Sequence, residues 1–127
     1  MIALLVLLVL AQAQGPVTLQ CDGIADLSRQ EVARATVEIN GEAVRVRAPS
    51  GMFATIVGDR QDFWRDLRDV VITDREIRGS MKPNLVSRLN VVIDRMSGEI
   101  RINYNDPLGG STAFVGDCVV VSATPLF

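Results

Sequence analysis

The groups on this 127-residue chain that could do chemistry are fifteen carboxylates, thirteen basic side chains and two cysteines. Histidine is absent, which removes the commonest general base near neutral pH and the commonest metal ligand. Ser-His-Asp and Cys-His nucleophile systems are excluded with it. So are His-containing zinc sites, and two cysteines are too few for an all-cysteine zinc site. A pair of carboxylates can hydrolyse a glycoside without histidine. Fifteen acids bring some pair to a workable distance in any fold, so the pattern selects none. Asp59, Asp62, Asp66, Asp69 and Asp74 form an acidic series whose oxygens suit calcium. Their spacing matches no calcium loop, and the interleaved Arg60, Arg65, Arg68 and Arg75 oppose a cation. The series therefore reads as a solvated, salt-bridged face. The basic residues are twelve arginines and Lys82. That bias suits bidentate recognition of carboxylate or phosphate, although codon usage in a GC-rich genome produces it without any ligand. No catalytic residue, metal or cofactor is expected.

The cysteines are Cys21 and Cys118, and their pairing depends on where the chain goes. Residues 2–10 are an unbroken apolar run, followed by Ala11-Gln12-Ala13 and Gln14. This is the h-region and A-x-A cleavage site of a secretory signal peptide, with cleavage between Ala13 and Gln14. Only the α-amino group precedes the run, so a weak n-region and an upstream start both fit. The run falls well short of the ~20 residues that span a bilayer, so no permanent membrane anchor is expected. A lipoprotein acylated at Cys21 is disfavoured, because Thr18 and Gln20 stand where a lipobox wants Leu and a small residue. The expectation is a signal peptide over 1–13 and one domain over 14–127, in the periplasm or secreted. In such an oxidising compartment an even number of cysteines favours a disulfide, and two allow one connectivity. Cys21–Cys118 would close nearly the whole mature chain, a loop of about 100 residues, and pin two terminal strands.

The net charge of −2 argues against a nucleic-acid binder, which needs a basic stripe. It also gives no overall attraction to anionic lipid. Phe63-Trp64-Arg65 holds the only tryptophan and is a candidate partner contact. The bland alternative is that Phe63 and Trp64 cap an open end of the core. The turn-rich stretch 103–110 is a second candidate loop, equally well explained as a connection.

The elements that would position these groups are short alternating runs broken by turn residues, the pattern of an antiparallel all-β domain. Val17–Cys21 reads as the first strand. Ala33, Ala35, Val37 and Ile39 alternate up to Asn40-Gly41, and Val44, Val46 and Ala48 alternate after it. A two-residue Asn-Gly turn would set Val37 against Val44 and Thr36 against Arg45. Residues 52–57 read as another strand. Phe63, Leu67, Val70 and Val71 recur at helical spacing behind Asp62, which predicts one short helix or helical turn, with Val70-Val71-Ile72 as a strand the alternative. Glu76–Lys82 reads as a strand with a bulge at Gly79. Leu89, Val91 and Ile93 pair with Ile100, Ile102 and Tyr104 across a two- or four-residue loop. Residues 105–110 read as a loop. The last strand is apolar on both faces, which predicts a central or covered position. Eight or nine strands and at most one helix make an antiparallel β-sandwich or small β-barrel.

Three segments carry a resemblance. The run Ile93-Asp94-Arg95-Met96-Ser97-Gly98-Glu99-Ile100, the strand Phe114-Val115-Gly116-Asp117-Cys118 and the early Cys21-Asp22-Gly23 resemble small exported proteins of Gram-negative bacteria. Those carry an I-D-R-x-[ST]-G-x-[IL] hairpin, an F-x-G-x-C strand and a Cys-x-Gly. The resemblance covers most of the mature chain, implies an exported one-disulfide β protein and brings no catalytic residue across. The expected function is a non-enzymatic domain that binds a protein, an envelope component or a small molecule. A carboxylate-based hydrolase and an enzyme inhibitor are the alternatives.

Overall fold

The computed structural model describes residues 16–26, 30–49, 64–82, 87–106 and 110–122. Alternation of apolar and polar residues gives nine strands: β1 (Val17–Asp26), β2 (Gln30–Asn40), β3 (Ala43–Arg47), β4 (Arg65–Asp66), β5 (Arg68–Ile72), β6 (Glu76–Met81), β7 (Arg88–Asp94), β8 (Glu99–Asp106) and β9 (Gly110–Ser122). They form one sheet in the order β4-β3-β2-β1-β9-β8-β7-β6-β5, and every pairing is antiparallel. The two outermost strands, β4 and β5, are separated in sequence only by Leu67. One stretch of chain thus pairs with β3 by its first half and with β6 by its second. The sheet curls into a nearly closed up-and-down barrel, so the expected all-β class takes its barrel form. The strands from β1 to β9 follow one another around the wall, and the pairing of β1 with β9 joins beginning to end. The described connections at residues 41–42, 73–75 and 95–98 lie on one rim, called the lower rim. The opposite ends of the strands form the upper rim.

Inward residues make the core: Val17, Leu19, Cys21 and Ala25 of β1, Ala35, Val37 and Ile39 of β2, Val44 and Val46 of β3, Ile77 of β6, Leu89, Val91 and Ile93 of β7, Ile100, Ile102 and Tyr104 of β8, and Phe114 of β9. Tyr104 and Phe114 are the largest of the fully buried side chains. A barrel of about eight strands is just wide enough for side chains to fill, and these residues are buried inside it. Its outward positions carry Arg, Asp and Glu among valines, the reverse of a lipid-facing barrel, whose apolar residues point out.

The β2–β3 hairpin differs from its expected register. Val37 faces Val46, Ile39 faces Val44, Glu38 faces Arg45, and Thr36 faces Arg47 rather than Arg45. The turn is Gly41-Glu42, one residue later than Asn40-Gly41, with Gly41 at φ 65°. Positive φ at the first central residue alone is the type II′ pattern, for which glycine is suited. The two-residue shift keeps every apolar side chain on the inner face and brings Glu38 onto Arg45. The β7–β8 hairpin takes the four-residue option, with Ile93 opposite Ile100. Asp94 Oδ1 accepts hydrogen bonds from the amides of Met96 (2.8 Å) and Ser97 (3.2 Å), which favours the longer loop.

No helix forms at Leu67–Val71: Leu67 links β4 to β5, and Arg68–Ile72 is strand, which bears out the strand alternative for Val70-Val71-Ile72. The pairing of β5 with β6 shifts register between Arg68 and Val71, and Asp69 at that bulge has φ 54°. The extra residue places Leu67 and Val70 on the inner face three positions apart, a spacing that a helix also produces. Val71 points outward and is exposed. The bulge expected at Gly79 is therefore in the neighbouring strand. Gly79 keeps an unbroken register with β7, and its bare Cα makes room for Leu67: a Cβ on Gly79 would lie 3.0 Å from the Leu67 Cβ. The last strand is central, between β1 and β8, but its outer face is not covered: Val119 and Val121 are about half exposed (58% and 50%). Strands also claim Asn105–Asp106 and Gly110, which read as loop in the sequence. The expected strand at 52–57, Asp62 and Phe63 lie outside the described residues.

Candidate functional site

Cys21 and Cys118 stand directly opposite each other on β1 and β9 and form a disulfide, with Cα atoms 4.0 Å apart. A disulfide is characteristic of an oxidising, non-cytoplasmic compartment. Two residues further along the same pairing, Gly23 faces Gly116. A Cβ on Gly23 would run into the Val115 carbonyl, and one on Gly116 would lie 2.6 Å from the Asp22 carbonyl oxygen and 2.9 Å from the Phe114 ring. The glycine pair lets the strands approach while Phe114 fills the interior.

Outside the barrel, register sorts the charges into rows. Asp117 of β9 faces Asp22 of β1 and Glu99 of β8, and Glu76 of β6 faces Asp94 of β7. Like charges opposed across strands repel, and arginines offset most of this. Arg34 Nε lies 2.7 Å from Asp22 Oδ1, Arg78 Nε 3.3 Å from Glu76 Oε2, and Arg101 4.0 Å from Glu99. The hydrogen bond from Arg34 holds the Asp22 carboxyl below the usual carboxylate range. Among the described residues no three acids or cysteines are placed to hold a metal ion. The acids Asp66, Asp69 and Asp74 of the series singled out in the sequence are exposed.

Trp64 is half-buried on the outer wall, with the Arg45 guanidinium 4.7 Å from its ring centroid. Arg45 in turn donates from Nε to Glu38 Oε1 (2.6 Å). Arg65 stands opposite Val46 across β3–β4. A structural residue that sequence reasoning misses is Arg95. It is buried in the β7–β8 turn and donates from its guanidinium to the Thr73 carbonyl (2.6 Å), tying two lower-rim connections together. Its backbone N–H bonds the Arg75 carbonyl (2.8 Å). Burial lowers its affinity for a proton, against the opposing charge of Asp74. An arginine in a D-R-x-S-G turn looks like any exposed turn residue, so pattern alone carries no signal for it.

Three concavities lie on the outer face of β5–β8. One of about 410 Å³ sits at the lower rim between Arg75, Glu76, Asp94, Glu99 and Arg101. Its acids outnumber its cations, and Arg101 is engaged by Glu99. A second, of about 350 Å³, lies at the upper rim and is lined by Arg68, Asp69, Ser80, Met81, Lys82 and Arg88. A third, of about 320 Å³, shares Asp69 and Ser80 with it and continues down the wall to Asn90. No family model matches the chain, and no curated protein matches it in sequence.

Proposed function

We propose that this protein is an exported, non-enzymatic binding domain of the Gram-negative periplasm or extracellular space, and that it meets its ligand on the outside of the barrel. Residues 1–13 act as the signal peptide, with cleavage between Ala13 and Gln14, and the Cys21–Cys118 disulfide accords with that destination. The observation that carries the reading is the division of chemistry between the two faces. Ile93, Ile100, Ile102, Tyr104 and Phe114 occupy the interior, whereas charged and amide side chains border the outer concavities of β5–β8.

The test is an amide NMR titration of the mature protein with a periplasmic small-molecule and glycan extract. Shifts at outward residues of β5–β8, with Ile100, Ile102 and Phe114 unmoved, are expected. Shifts confined to those interior residues, or none at all, overturn the reading.

A further inference from the structure

The upper-rim concavity differs from the other charged loci of the wall. Arg34, Arg45, Arg78 and Arg101 each have a carboxylate partner. Arg68, Lys82 and Arg88 come from β5, the end of β6 and the start of β7, line the same concavity, and have no ion-pair partner among the described residues. Asp69 is the only acid among the described residues that line it. Among the described residues, a chain of net charge −2 thus concentrates an excess of two positive charges in one dip of about 350 Å³. Three cations gathered beside a single carboxylate repel each other, a cost that an anion removes.

The backbone aims this cluster. The bulge at Asp69, with φ 54°, is a conformation that most side chains avoid and Asp tolerates. Bulges re-aim neighbouring side chains, and this one keeps Arg68 outward, opposite Ser80. Two guanidiniums offer forked donors and Lys82 a compact charge, the combination that suits tetrahedral phosphate oxygens. Below them, Ser80 and Asn90 face each other across β6–β7 and supply neutral donors and acceptors for the rest of a polar ligand.

Building on the outer-face reading above, we propose that Arg68, Lys82 and Arg88 form a phosphate-binding site that recognises a phosphate group on a small polar ligand or on a lipid headgroup. The site takes the dianion or monoanion of phosphate by charge-assisted hydrogen bonds, without bond making or breaking.

The experiment titrates mature, disulfide-intact protein with inorganic phosphate, and separately with vesicles of phosphatidylcholine with and without phosphatidylglycerol. Amides of Arg68, Asp69, Ser80, Lys82 and Arg88 should move with phosphate. Lys82→Gln or Arg88→Gln should weaken binding roughly tenfold, the effect of one charge-assisted hydrogen bond. Arg34→Gln changes the net charge by the same amount on the distant β2 and should leave affinity unchanged. Binding to phosphatidylglycerol vesicles alone, lost in Lys82→Gln, identifies a lipid headgroup; a response to inorganic phosphate identifies a free ligand. All the substituted side chains are exposed, and unchanged melting temperatures confirm folding. No response in either arm overturns the site, as does equal loss in Arg34→Gln. If the periplasmic extract still shifts other outward residues in that event, outer-face binding survives and only the phosphate assignment fails.

Discussion

Asp117 has a carboxylate on each side, Asp22 on β1 and Glu99 on β8. Each neighbour has an arginine, whereas Asp117 has no ion-pair or side-chain hydrogen-bond partner among the described residues. Replacing it with the isosteric amide removes two repulsions and leaves packing unchanged. Asp117→Asn should raise the unfolding free energy by about 0.2–1 kcal/mol in urea melts, the range of cross-strand charge pairs. High salt should shrink the gain. At Asp22 the lowered carboxyl fixes the sign of a pH effect. A group whose folded pKa lies below its unfolded value binds fewer protons when folded, so its contribution is present at neutral pH. It declines once pH drops below the unfolded carboxylate value of about 3.9 and is gone once pH has fallen through the folded value. An NMR titration should place the Asp22 midpoint below that of a free carboxyl, and Arg34→Gln should move it upward. At Gly23 the constraint is steric. The Val115 carbonyl fills the space a Cβ needs, so Gly23→Ala must push β1 from β9. It should cost about 4 kcal/mol, the upper end of single-substitution effects.

At the scale of elements, the two hairpins differ in how their turns fix register. Gly41 sits at φ 65° with no atom within 4 Å of a Cβ built on it. Gly41→Ala therefore tests backbone conformation alone and should cost about 1–2 kcal/mol. Gly41→Asn, which tolerates the left-handed region, should recover much of that loss in the same melts. Strand identity was legible in the sequence wherever period two ran uninterrupted: β2, β3, β7, β8 and β9 follow from their alternation. Face assignment survived the Asn40-Gly41 misplacement, because a two-residue shift preserves parity. What failed was β4–β5. There an inserted residue at Asp69 breaks period two and imitates a helical repeat, and nothing local separates the two patterns. The basic concavity was legible only as an excess of arginine. Arg68, Lys82 and Arg88 are scattered over three strands, and only the pairings of β5 with β6 and β6 with β7 bring them together.

At the scale of the whole molecule, stability depends on closing the wall, and the β1–β9 seam is where the first and last strands meet. This pairing has the greatest sequence separation in the sheet, so its closure costs the most chain entropy. The disulfide lies within that seam, between residues separated by 97 positions. Chain-entropy reasoning gives about 4.7 kcal/mol for a loop of 100 residues. Cys21 is fully buried, so its replacement must preserve packing. Cys21→Ala with Cys118→Ala is therefore expected to lower stability by about 2–5 kcal/mol. Its urea m-value should rise, because the uncrosslinked unfolded chain exposes more surface. Hydrogen exchange can locate the loss: protection at Leu19, Gln20 and Val119 should fall further than at Val91 and Ile102, which sit in hairpins closed locally by the β7–β8 turn. Uniform loss across the barrel would show that the disulfide acts only on the unfolded chain. Preferential loss at β1 and β9 would show that it also suppresses local opening, so that the native barrel itself depends on the bond to stay shut.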